Sequence, residues 1–289
     1  MIEHRSTNEN DIKQRMAFRL PDKAMEIILH PLYRHGHAKN GASMGSLVQY
    51  FLMRANRWHA VHSYNALVAR YRRHYRGDHD MAMMASIGAA SPEGFIRQGD
   101  GHVAVLRHHG LRDGMAIYDL GCGSGRTAMA LQRSGWQGRY KGADIIRPLV
   151  AYLREKCPGY EAVVHRKLTI DAPDASQDMI FHWSVFTHLR PEECYLYMRD
   201  SFRALKPGGR LVFSFLEFED ERHHVIFRSQ LKWFDRKGWS DTTDTFLHRD
   251  WIRFWARDIG FEEVSFTDGA DSSCHPEFWQ ALVAMRKPE

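Results

Sequence analysis

Hydrophobic and polar positions change their rhythm partway along the chain. Between Ser46 and Tyr75 apolar residues such as Tyr50, Phe51, Trp58, Val61 and Val68 recur at roughly helical spacing. One long or two shorter amphipathic helices are predicted there. Gly41 to Gly45 and Ser91 to Gly94 read as turns, and Asp100 to Leu111 as a helix. From Met115 onward short apolar runs alternate with helical stretches. Strands are predicted at Ala116 to Leu120, Tyr140 to Ile145, Glu161 to Leu168, Asp178 to Phe186 and Arg210 to Glu217. Between them, helices begin at Thr127, at Pro148 and at Pro191. Such alternation implies an α/β architecture, a mostly parallel sheet with right-handed crossovers and helices on both faces.

Composition limits what this pattern can be. The 289 residues, 44% hydrophobic and 12% aromatic, can bury a sizeable core as one large domain or one domain plus an extension. No apolar run approaches the roughly 20 residues of a membrane span, and the first residues are too polar for a secretory signal. The four cysteines are widely spaced with no C-x-x-C pair, so neither a zinc site nor a disulfide framework is indicated. A reducing cytoplasm is the expected location.

Charge is uneven. Residues 1–110 hold 15 Lys and Arg against 9 Asp and Glu, and no acid occurs between Glu26 and Asp78. An anionic partner would suit this front part. The alternative is a solvated helical extension whose arginines pair with acids elsewhere.

Chemistry enters with "IYDLGCGSGRTAMAL", Ile117 to Leu131. The strand carries Asp119 next to its last residue, and glycines at 121, 123 and 125 turn the chain into a helix. Glycines there permit unusual φ and a close approach of ligand to main-chain N–H groups at a helix N-terminus. Asp144, 19 residues after Gly125, ends the next strand, where a carboxylate can accept hydrogen bonds from ribose hydroxyls. A nucleoside-like cofactor is implied, and a dinucleotide enzyme would satisfy this pair too.

Four segments together, Tyr118 to Arg126, Gly142 to Ile145, Asp178 to Leu189 and Phe202 to Phe215, resemble the class I S-adenosylmethionine-dependent methyltransferases. The resemblance implies a Rossmann-like sheet of seven strands, the last antiparallel, with Glu262 to Gly269 and Phe278 to Lys287 as the final hairpin. It implies residues 94–289 as the methyltransferase domain and leaves 1–93 as a helical, basic extension or lid. Carried over by position, Asp119 and the turn Gly121, Cys122, Gly123 and Gly125 would bind the methionine part of S-adenosylmethionine. Asp144 would take the ribose diol and Ile145 the adenine, with Trp183 and Ser184 beside the sulfonium. The residue holding the adenine amine after the third strand is not placed by "RKLTID", and Asp171 lies far downstream.

His188, just past the fourth strand, stands where a base could take the proton from a hydroxyl acceptor. His182 to Val185 occupies the place of the Asn/Asp-Pro-Pro-aromatic tetrad of amino-methyltransferases on nucleic-acid bases, which counts against DNA. The run "WSVFTHL" followed by "LKPGGRLVFSFLEF" resembles methyltransferases found with glycan- and natural-product-modifying enzymes, and that resemblance implies a sugar or other small hydroxylated acceptor, anionic or lipid-linked if the basic front part meets it. An RNA-directed enzyme and a non-catalytic binding protein on the same fold are the other readings, and a homodimer or peripheral membrane contact through the front helices is compatible with either. His223 and His224 are adjacent and so poorly placed to share a metal; a solvated loop in a substrate lid is expected there.

Overall fold

The computed structural model describes residues 61–237, 244–273 and 278–289. The expected helices before residue 61, the Gly41 to Gly45 turn and Cys274 lie outside them. All described residues belong to one compact unit, Trp58–Glu289.

Helix α1 covers described residues 61–74 and is followed by α2 (His79–Ala85) and α3 (Pro92–His108). The expected Ser91 to Gly94 turn is instead the start of α3. Ser91 Oγ accepts from the Gly94 amide at 3.1 Å, with Pro92 in the first turn. A serine cap and a proline that needs no donor form a helix start, so the helix begins eight residues earlier than apolar periodicity alone indicates.

The alternating part follows as β1 (Ala116–Leu120), α4 (Arg126–Arg133), β2 (Arg139–Asp144), α5 (Arg147–Lys156), β3 (Glu161–Val164) and β4 (Gln177–His182). It continues through α6 (Pro191–Ala204), β5 (Leu205–Glu217), α7 (His224–Lys237), β6 (Phe246–Leu247), α8 (Arg249–Ile259), β7 (Glu262–Thr267) and β8 (Ala281–Arg286). The main path runs β3-β2-β1-β4-β5-β8-β7, and β6 is a two-residue addition beside β5. Strands β1 to β5 pair in parallel, while β8 is antiparallel to both neighbours. This is the predicted seven-strand arrangement with its closing hairpin.

Two strands stop earlier than their apolar runs. β3 ends at Val164 because its neighbour β2 ends at Asp144, whose carbonyl takes a last bond from the His165 amide. β4 ends at His182. Ser184 then adopts φ 57°, and a turn of 3₁₀ helix occupies Phe186–His188. The Ser184 amide donates to the Ser214 hydroxyl at 2.8 Å instead of to a strand.

The core lies on both faces of the sheet. On one side Leu106, Ile117, Leu131 and Phe181 pack together; on the other, Tyr118, Ile180, Phe213 and Met198 do so. A third cluster joins Val68 of α1 and Met83 of α2 to Ile146, Leu149 and Tyr152 at α5. Through it the front helices stand over the ends of β1 and β2.

Candidate functional site

The glycine turn needs its glycines for two physical reasons. Gly121, Gly123 and Gly125 have φ of 72°, 54° and 93°, which side chains rarely tolerate. A Cβ at Gly121 would collide with Val185, one at Gly123 would stand 2.8 Å from Ile87 Cγ2, and one at Gly125 2.8 Å from Leu153 Cγ. Backbone bonds tie the turn to β2: the Gly121 and Cys122 amides both donate to the Ala143 carbonyl, at 2.7 and 3.1 Å.

Asp144 completes the cradle. Its Oδ2 accepts from the Gly123 amide at 2.9 Å and its Oδ1 from the Ile146 amide at 2.8 Å. Each carboxylate oxygen can accept again, so two hydroxyls of a ribose fit this group. Burial pushes its carboxyl above the ordinary range, while the backbone amides pull it back. Ile145 packs beside it with the front-helix cluster.

Asp119 is placed differently from Asp144. It is buried, its Oδ2 accepts from the Tyr140 hydroxyl at 2.7 Å, and Thr127 hydrogen-bonds it as well. Burial, opposed by the Tyr140 hydrogen bond and reinforced by the charge of Asp144, pushes its carboxyl up to about 7. It therefore holds β1, β2 and α4 together beneath the turn. Cys122 is also buried, with its side chain in the core and its thiol pushed up by burial.

At the end of β4 the site residues face two ways. Trp183 stacks toward the core side, its ring 4.5 Å from those of both His102 and Phe278. Ser184 is locked in its left-handed conformation by a ring of polar contacts. Its amide donates to Ser214 Oγ, Ser214 Oγ donates to Gln280 Oε1 at 2.7 Å, and Gln280 Nε2 returns to Ser184 Oγ at 2.6 Å. Such a strained residue, held at both its amide and its hydroxyl, fixes the loop that follows.

That loop carries His188 to the opposite flank. Its Nδ1 stands 3.8 Å from Asp244 Oδ1, and its ring meets Tyr64 of α1 edge-on at 5.7 Å. Burial pushes the Tyr64 hydroxyl above its ordinary range, and the charges of Asp244 and Asp144 push it the same way. Tyr64 thus neighbours both the His188 flank and Asp144. Sequence reasoning missed Tyr64 and Asp244, which lie 124 and 56 positions from His188, although Tyr64 falls within the amphipathic stretch already read as helix.

Two further expectations are settled by position. Asp171 pairs with Lys141 at 3.1 Å and donates its amide to the Tyr118 hydroxyl, so it is committed to holding β2 and the loop after β3. The His223 reading is corrected: the residue is fully buried. Its Nδ1 accepts from the Glu217 amide at 2.9 Å, and its Nε2 donates to the Trp279 carbonyl at 2.7 Å. It is a core bridge at the end of the turn that leads from β5 into α7. Among the described residues no group of three or more His, Cys, Asp or Glu is placed to hold a metal ion, and no helix is long and apolar enough to cross a membrane.

Comparison with known proteins agrees with this geometry. Residues 117–209 match the methyltransferase domain family. Trans-aconitate 2-methyltransferase of Rhodopseudomonas palustris (strain BisB18) is 30% identical over 122 residues, 41% of this chain and 45% of that protein. Demethylmenaquinone methyltransferase of Tropheryma whipplei (strain Twist) is 29% identical over 133 residues, 45% of this chain and 53% of that protein. The chain spans about half the length of these curated relatives. The crystal structure of magnesium protoporphyrin IX methyltransferase from Synechocystis PCC 6803, with bound S-adenosylhomocysteine, superposes with a TM-score of 0.54 at 16% identity, covering 79% of this chain and 98% of that one. Strand order, glycine turn and domain match converge: this chain carries a class I S-adenosylmethionine-dependent methyltransferase domain.

Proposed function

We propose that the protein transfers the methyl group of S-adenosylmethionine to a hydroxyl of a sugar or another small hydroxylated acceptor. The observation that carries this reading is the His188 flank, where an imidazole stands against Tyr64 and 3.8 Å from Asp244, beside the turn and Asp144. When bound, the cofactor supplies an electrophilic methyl on a sulfonium. The residues present fit it: Asp144 has acceptor capacity for a ribose diol, and the glycine turn has no Cβ in the way.

The protein's own part is mostly placement. Holding a nucleophile in line with the methyl supplies most of the acceleration in a displacement of this kind. The His188 imidazole accepts the hydroxyl proton as the acceptor attacks, and the Asp244 carboxylate, 3.8 Å from its Nδ1, faces the positive charge so formed. The exposed Arg70, Arg72 and Arg73 on α1 favour an anionic acceptor, such as a phosphorylated or lipid-linked sugar.

The test is calorimetric titration with S-adenosylhomocysteine and with NAD, followed by methyl transfer from labelled S-adenosylmethionine to a panel of free and phosphorylated sugars. The expected result is binding of the homocysteine and not of NAD, with transfer to a sugar hydroxyl that His188→Gln slows without weakening cofactor binding. Binding of NAD alone would replace the reading with a dehydrogenase. Transfer that His188→Gln leaves untouched would remove the assigned base.

A further inference from the structure

A buried cation without a counter-ion sits next to the glycine turn. Arg126 is the first residue of α4, directly after Gly125, and only 9% of its surface is exposed. Among the described residues no carboxylate pairs with it. Its Nη2 donates to the Ile87 carbonyl at 2.8 Å, the Phe95 ring lies 5.4 Å from the guanidinium carbon, and Nε has no partner. Burial lowers the guanidinium to about 10, so it remains charged near neutral pH.

Its surroundings are built to keep it there. A Cβ at Gly99 of α3 would meet the Arg126 carbonyl oxygen at 2.8 Å and its Cγ at 3.4 Å, so the absence of a side chain lets α3 press on this arginine. Ile87, whose carbonyl holds the guanidinium, also puts its side chain against Gly123. The cation is thereby fixed on the flank of the turn. Two more buried polar atoms in this neighbourhood have no partner, Ser124 Oγ in the turn and His102 Nε2 on α3. His102 is held far below the ordinary histidine range, first by burial and then by the charge of Arg126.

Burying an uncompensated charge costs several kcal/mol, and an arrangement that keeps one beside a ligand cradle is explained when the ligand brings the opposite charge. A guanidinium matches a carboxylate in shape and charge. The methionine end of S-adenosylmethionine carries one carboxylate. We propose that Arg126 is the counter-ion of that carboxylate, so that charge pairing, and not the turn's backbone alone, selects a cofactor with an amino-acid tail. This rests on the methyltransferase reading above.

The test compares ligands with and without the carboxylate. S-Adenosylhomocysteine, its methyl ester and 5′-methylthioadenosine are titrated calorimetrically into the full chain and into Arg126→Gln and Arg126→Lys. Arg126→Gln is expected to weaken S-adenosylhomocysteine by at least about tenfold while leaving the ester and methylthioadenosine within about twofold, and Arg126→Lys to recover part of the loss. Equal weakening of all three ligands would make Arg126 a structural residue and overturn the proposal. Unchanged homocysteine affinity in the glutamine variant would overturn it as well. Should that variant not fold, the same ligand comparison on Arg126→Lys decides, since a displaced ammonium must narrow the preference for acid over ester. Failure of all three ligands to bind the unaltered protein would instead refute the methyltransferase reading itself.

Discussion

The ring of Tyr64 stands edge-on to the imidazole of His188, centroids 5.7 Å apart, and its hydroxyl lies in the field of Asp144. One side chain from the front helices therefore touches the flank that would hold an acceptor while neighbouring the carboxylate that would hold the ribose. A residue in that position is expected to couple acceptor and cofactor binding.

Truncating it should affect both. Tyr64→Ala removes an aromatic contact of about 1 kcal/mol and opens the space between His188 and Asp144. We expect S-adenosylhomocysteine affinity to fall by roughly fivefold and methyl transfer to fall further. Tyr64→Phe, which keeps the ring, should retain most of the affinity. Equal affinity in all three proteins, measured by calorimetry, would place Tyr64 outside the ligand cleft.

Asp119 should make stability depend on pH in a particular direction. Its folded value of about 7 lies above the ordinary 3.8 of a free aspartate. Because the folded value is raised, its contribution is fully present below about pH 4, where both states are protonated. Between about pH 4 and 7 the unfolded chain releases this proton and the folded chain keeps it, so stability falls as pH rises through that window. The loss is at most on the order of 4 kcal/mol. Asp119→Asn can still accept from Tyr140 and cannot titrate. The melting temperature of the unaltered protein minus that of the variant should decline from pH 4 to pH 7.5; a constant difference would show that Asp119 is ionised throughout.

These contacts mark the limit of what the chain's local pattern reveals. The strand, the glycine turn and the position of Asp144 beside it were legible because their meaning is local, with an apolar run, a φ requirement and one carboxylate all within about 30 residues. The mostly parallel sheet followed from alternation, and its antiparallel last strand from the family resemblance. Arg126, Ile87 and Tyr64 carry no such signature, since an arginine with no acid partner is recognised only once folding has removed it from water. The early start of α3 had a signal in Ser91 and Pro92 that competed with the turn reading of the same four residues. His223 looked solvated beside Glu219, Asp220 and Glu221, yet the bond it donates to the Trp279 carbonyl, 56 residues away, takes it into the core.

That burial gives His223 a measurable structural role. Replacing it with leucine leaves the Glu217 amide and the Trp279 carbonyl without their partner inside the protein, at roughly 3 kcal/mol for the pair. In a domain of this size the melting temperature should drop by roughly 6–12 °C. A metal chelator should leave the unaltered protein's melting temperature where it was. Stabilisation by added zinc that His223→Leu abolishes would return the residue to a metal role.

Gly121 and Gly110 separate backbone strain from site geometry. Both have positive φ, 72° and 96°, so alanine is strained at either by roughly 1–2 kcal/mol. Their surroundings differ: a Cβ at Gly110 meets nothing within 4 Å, whereas one at Gly121 collides with Val185 on the loop between Ser184 and His188. Gly110→Ala should therefore lower the melting temperature and leave S-adenosylhomocysteine affinity unchanged. Gly121→Ala must push that loop away from the turn, and should cost similar stability together with at least a tenfold loss of affinity. Adding Val185→Ala to Gly121→Ala clears the collision while keeping the strain. If the loop and turn form one ligand wall, the double variant should regain much of the affinity without regaining the stability, because non-additivity is confined to residues in contact. Recovery of neither would mean that the Gly121 backbone, and not its distance from Val185, is what the cofactor requires.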